Sequence, residues 1–134
     1  MFLNLLPKKE RQYFLNLARY AMGLNGECKS EELEIYHSFV HECDLHGYQA
    51  KTGNKPVAES IDALAAGEIG QRKAVMIELC GILLADSAIC ANERAFIDRL
   101  TEAFGLEAFE VRRIERWVAA MNDLVAEGYR MVEA

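Results

Sequence analysis

Apolar residues recur along this chain at steps of three and four, and nowhere do apolar and polar positions alternate with period two. That pattern predicts helices throughout and no strands. The first helix is predicted from about Pro7 to Gly23. Pro7 suits the first turn, where its missing N–H loses no bond, and Phe14, Leu17, Ala18 and Ala21 share a face. Leu24-Asn25-Gly26 ends it, because Asn and Gly tolerate the left-handed backbone that closes helices. A second helix is predicted from Ser30, its expected cap, to about Asp44. Glu31 and Glu32 lie beside its exposed N–H groups, and Tyr36, Phe39, Val40 and Cys43 point inward. Gly47 to Lys55 reads as a loop, and Val57 to Ala66 as a short helix closed by Gly67. From Gly70 to Ala85 the chain is most apolar. Val75, Met76, Leu79, Ile82 and Leu83 leave little polar face, which places this helix at the centre of a bundle. A fifth helix is predicted from about Ala91 to Phe104, with Phe96, Ile97 and Leu100 inward and Gly105 as its stop. The last runs from about 106 to 132. Its inward stripe is Val111, Ile114, Val118, Met121, Val125 and Val132, widened by Trp117 and Leu124. The fold class that follows is all-α: a compact bundle of about six helices in one domain over residues 1–134.

A shift of 61 positions lays one helix–loop–helix unit, about 7–46, on another, about 68–107. Asn25 falls on Asp86, Glu32 on Glu93, Ile35 on Phe96 and Tyr36 on Ile97. Phe39 then falls on Leu100, Cys43 on Phe104 and Leu45 on Leu106. Two of these pairs are identities; the others match in apolar or polar character.

The two stretches Ala21-Met-Gly-Leu-Asn-Gly-Glu-Cys-Lys-Ser-Glu-Glu and Leu84-Ala-Asp-Ser-Ala-Ile-Cys-Ala-Asn-Glu-Arg carry a resemblance. A helix, a short Asp-Gly-type loop, then a helix opening with Glu, used twice, resembles the TerB-like family of tellurite-resistance proteins. Phe14-Leu-Asn-Leu-Ala and the helix around Trp117 look like the same family, so the likeness spans nearly the whole chain. The first unit has Asn25 where the family has Asp but keeps Gly26, Glu31 and Glu32. The second keeps Asp86 and Glu93 but has Ser87 and Asn92. The resemblance implies a non-enzymatic module for cation sensing or protein interaction. Its implied setting is cytoplasmic, partly membrane-associated stress, tellurite or metal-response assemblies.

Asn25, Glu32, Asp86 and Glu93 are accordingly the candidate metal ligands. Each unit offers one oxygen donor where a helix ends and a second about seven residues on. Two-fold packing of the units would bring four oxygens together for a hard cation such as Ca²⁺ or Mg²⁺. The competing reading is purely structural. A carboxylate just inside a helix accepts N–H bonds from its own first turn, and Asn or Asp in a tight loop bonds nearby backbone.

Composition narrows the remaining choices. An apolar fraction of 51% with 27% charged residues is that of a globular chain. The net charge of −6 argues against nucleic acid, whose binding rests on Lys and Arg neutralising phosphates. Arg112, Arg113 and Arg116 alternate with Glu110 and Glu115 as a solvated helix face. The apolar run from Ala74 to Ala85 is too short to span a bilayer, and no secretory leader is apparent, so the expected location is cytoplasmic without membrane insertion. The four cysteines form no CxxC pair.

Cys28, His37, His41, Cys43 and His46 suggest zinc, yet the shift puts His37 on Asp98 and His41 on Glu102, both solvent positions, and Cys43 on the core position Phe104. No serine sits in a nucleophile elbow, and a Cys28–His37 hydrolase pairing lacks a third orienting group, so no enzyme is expected. The last helix has heptad spacing at 111, 114, 118, 121, 125, 128 and 132. Packing on its own bundle is the first reading, and a homodimer or partner contact is the alternative.

Overall fold

The computed structural model describes residues 1–26, 30–85 and 89–133. After a 3-10 turn at Leu3–Leu5 come six helices: α1 (Lys8–Met22), α2 (Ser30–Cys43), α3 (Asn54–Ala65), α4 (Ile69–Leu83), α5 (Ala91–Ala103) and α6 (Ala108–Glu133). No strand occurs among the described residues. Helix α1 packs against α2, α3 and α4, and α6 lies mainly along α4. The most apolar predicted helix is indeed the central one. Val75, Met76, Leu79, Cys80, Ile82 and Leu83 of α4 are all buried.

The 61-residue shift reappears in the backbone. Moved by 61, the bounds of α1 become those of α4, and Ser30 falls on Ala91. Both second helices end alike. Asp44 and Gly105 take positive φ of 56° and 65°, and the following N–H groups of Leu45 and Leu106 reach back to Val40 O and Thr101 O. Leu45 and Leu106 are then buried against the helix they follow. That is the left-handed closure in which the sixth residue bonds the first. The first helices match as well: Arg11 Nε donates to Leu6 O at 2.9 Å, and Arg72 Nε to Gly67 O at 3.0 Å. A repeat thin in identities is thus plain in geometry, because turn chemistry and apolar spacing are kept while residue types drift.

Several expectations need correction. Helix α3 starts at Asn54, inside the stretch read as loop, because Pro56 fits a first turn where its N–H would have no partner. Leu106 is buried in the connection, and α6 starts at Ala108. Ser30 opens the described part of α2, and the expected capping of that helix falls outside the described residues. The largest correction concerns α6. Val111 and Val118 are buried and Ile114 and Met121 half-buried, but Val125, Val132, Trp117 and Leu124 are exposed. The stripe outruns the bundle: 26 residues span about 39 Å at roughly 1.5 Å each, whereas the 15 residues of α4 span about 22 Å.

The N-terminal residues, unassigned from sequence, seal one side of the core. Leu3 and Leu6 are buried. The Met1 ammonium bonds Glu42 of α2 and, at 3.2 Å, Glu78 of α4, while Leu3 N donates to Glu42 Oε2 at 2.9 Å. Burial pulls the ammonium pKa down, but the Glu42 bond and the Glu78 charge outweigh it, leaving it above the ordinary value of 8.0. Burial pushes Glu78 up from the usual carboxylate range, against the pull of the ammonium. An amine with a raised folded pKa stabilises below its unfolded value, and that contribution is lost as pH rises through the folded value. A carboxylate with a raised folded pKa likewise makes the fold less stable as pH rises through it. The melting midpoint of the free-amine chain is therefore expected to drop between about pH 7 and about pH 10 more than that of an N-terminally acetylated chain. Parallel curves for the two would rule out the ammonium as a stabilising group.

Candidate functional site at the paired bends

The two units meet where the bend after α1 lies against the start of α5. Met22 ends α1, Gly26 takes φ 82°, and between them the Leu24 carbonyl faces the start of α5. Asn92 Nδ2 donates to Leu24 O at 3.1 Å, and Cys90 Sγ lies 4.0 Å from the same oxygen. Gly23, Leu24, Asn25, Gly26, Cys90, Ala91 and Asn92 line an open groove of mixed polarity there.

Of the four candidate ligands, Asn25, Glu32 and Glu93 are described, and Asp86 lies outside the described residues. Glu32 and Glu93, partners in the repeat, are each only 3% exposed although carboxylates are rarely buried without partners. Both have partners. Asn25 Nδ2 donates to Glu32 Oε1 at 3.4 Å, and Glu93 Oε1 accepts the Cys90 N–H at 2.9 Å as the third residue of its helix. The Glu93 bond is the helix-capping role that the structural reading anticipates. The donor set around the bends is oxygen-rich, as hard cations require, yet among the described residues no three His, Cys, Asp or Glu side chains gather as a metal-holding group. Sequence reasoning missed Cys90 and Asn92. Their only signal was their place, three and one residues before Glu93.

The other candidates fall apart spatially. His37 and His41 are exposed, Cys43 is buried, and Cys28 lies outside the described residues. The rings of His41 and His46 do approach to 5.5 Å, both at the surface. Burial pushes the Cys43 thiol up to about 11 and the Cys80 thiol up to about 12, so neither is a thiolate at neutral pH. Iodoacetamide is expected to leave Cys43 and Cys80 unmodified in the folded chain and to alkylate both once it is denatured. Peptide mass mapping that found either one modified under native conditions would contradict their burial.

A second, apolar feature runs beside α6. Phe2, Ile77, Phe109, Ile114 and Trp117 line a groove of about 420 Å³ between α4 and α6, with Lys73, Glu110 and Arg113 at its rim. No helix among the described residues is long and apolar enough to cross a membrane. The fold and these two surfaces define an all-α bundle of duplicated helix–loop–helix units with a projecting C-terminal helix. The chain matches no family model, no curated protein and no solved structure.

Proposed function

We propose that this chain is a non-enzymatic, TerB-like interaction module whose binding element is α6. One observation carries the reading. Beyond Asn122 no described residue of α6 is buried, yet the apolar spacing continues, leaving Leu124 at 68% and Val132 at 85% exposure beside Val125, Tyr129 and Met131. Single exposed apolar residues are ordinary, but a contiguous patch on a helix that has left its bundle is what partner surfaces look like. The TerB-like sequence resemblance points to a stress or metal-response assembly in the cytoplasm as the setting. The test is a photoreactive residue at position 124, compared in the producing cells with one at Glu102, an exposed position on α5. A discrete adduct at 124 whose protein content mass spectrometry identifies is expected. Equal, diffuse labelling at both positions would sink the reading.

The paired bends favour a second reading, in which a divalent cation links the two units. Its support is the contact of Asn92 with Leu24 and the burial of both Glu32 and Glu93. In that reading Glu32, Asn25 and the Asp86 and Glu93 carboxylates hold the ion, Ca²⁺ or Mg²⁺ by donor chemistry. A ligand bound only by the folded chain raises its melting midpoint. Melts with Ca²⁺, Mg²⁺, Mn²⁺ and Zn²⁺ are therefore expected to rise for the native chain and stay level for Glu32→Gln plus Glu93→Gln. A flat response of the native chain to every ion would remove the cation.

A further inference from the structure

We infer that the partner of α6 is the α6 of a second copy of this chain, packed antiparallel, so that the projecting half of each helix lies along the groove beside the other's first half. This rests on α6 being the binding element. Three features of the helix select that occupant.

The first is charge. Glu110 and Glu115 are already engaged within the chain, by Lys73 at 3.0 Å and Arg94 at 2.8 Å. Among the described residues, that leaves Arg112, Arg113 and Arg116 as the uncompensated charges of the first half, all exposed. The projecting half carries Asp123, Glu127 and Glu133 against Arg130. A parallel pair would set the three arginines against their own copies. An antiparallel pair sets basic half along acidic half twice over, in a chain whose net charge of −6 otherwise disfavours self-association.

The second is register. Trp117, Leu124 and Met131 recur every seven residues, which keeps them in one row along the helix. If the two helices cross near Ala120, Trp117 and Leu124 flank the crossing point. Phe109 of one copy then lies across from Met131 of the other, and Arg113 across from Glu127. One surface thus serves both copies, as a two-fold contact requires. Antiparallel helices also set their dipoles favourably.

The third is shape. The apolar groove runs along α6 from Phe109 to Trp117, and Phe2 and Trp117 line it with ring centroids 6.3 Å apart. A copy reversed about Ala120 brings Leu124 and Met131 alongside that groove. A lipid surface suits the same helix less well, since anionic headgroups repel its acidic half.

The test is light scattering and sedimentation of the full chain over a concentration series. The native chain is expected to move from 15.1 kDa toward twice that mass as concentration rises. Leu124 and Arg113 are both exposed, so Leu124→Glu and Arg113→Glu should keep the native helical circular dichroism. Leu124→Glu is expected to stay monomeric. Arg113→Glu should weaken association about tenfold or more by setting like charges together. Arg113→Glu combined with Glu127→Arg should restore it, which a parallel pair or a dimer through another surface would not do. Monomer at every concentration overturns the self-pairing, as does a dimer indifferent to Leu124→Glu or to the charge exchange. If the chain is monomeric but position 124 still yields an adduct with an identified second protein, the self-pairing fails and α6 stands as a binding element. If no adduct forms either, both fail.

Discussion

Replacing Phe14 by alanine is expected to lower the unfolding free energy by about 3–5 kcal/mol, the cost of deleting a buried ring whose space the neighbours only partly refill. Phe14 is fully buried on α1, which packs against α2, α3 and α4, and it meets Phe39 of α2 edge-on with centroids 5.1 Å apart. Since a domain of this size has only about 5–15 kcal/mol in total, the variant should be near the limit of folding. Urea unfolding checks this: the midpoint should fall sharply while the slope stays near that of the native chain. Leu124→Ala on the projecting helix is the control, with an expected change within about 0.5 kcal/mol at monomeric concentrations. Similar losses for the two variants would mean that the core is not where the structure puts it.

Asn16→Ala is expected to cost on the order of 2–4 kcal/mol, mostly from groups left without partners. Asn16 is buried on α1. Its Nδ2 donates to Ser60 Oγ at 3.1 Å, and its Oδ1 accepts the Tyr48 hydroxyl and the Lys51 backbone N–H, each at 2.8 Å. Ser60 in turn donates to Pro56 O at 2.7 Å. One amide therefore ties the connection between α2 and α3 to both α1 and α3. Losing it should speed hydrogen exchange at the Lys51 amide far more than in the middle of α4. Asn16→Asp keeps both acceptor bonds and should fall between alanine and the native chain. Unchanged exchange at Lys51 in Asn16→Ala would show that the connection is held by something else.

Asn16 also marks where sequence reading stopped. A polar residue between Leu15 and Leu17 carries no signal of what it touches, because its partners lie 32 to 44 positions away. The same holds for Leu3 and Leu6, which are buried in the segment whose Met1 ammonium meets Glu42 and Glu78 on two different helices. The bends were legible in part. Asn25 and Gly26 marked the bend after α1, and the glutamates marked where the next helix of each unit begins. That Asn92 reaches the Leu24 carbonyl was not legible, since it depends on how the units face one another.

For α6, spacing correctly indicated an amphipathic helix but not how far its apolar row would find a neighbour. Helical periodicity, left-handed closures after α2 and α5, and the apolar character of α4 are local properties of φ, ψ and side-chain chemistry, so the chain alone determined an all-α duplicated bundle. Which polar groups meet, which leucines stay wet and where the last helix outruns its support depend on distances between segments remote in sequence. Only the packed structure decides those, because burial is a property of the assembled helices and not of any one of them.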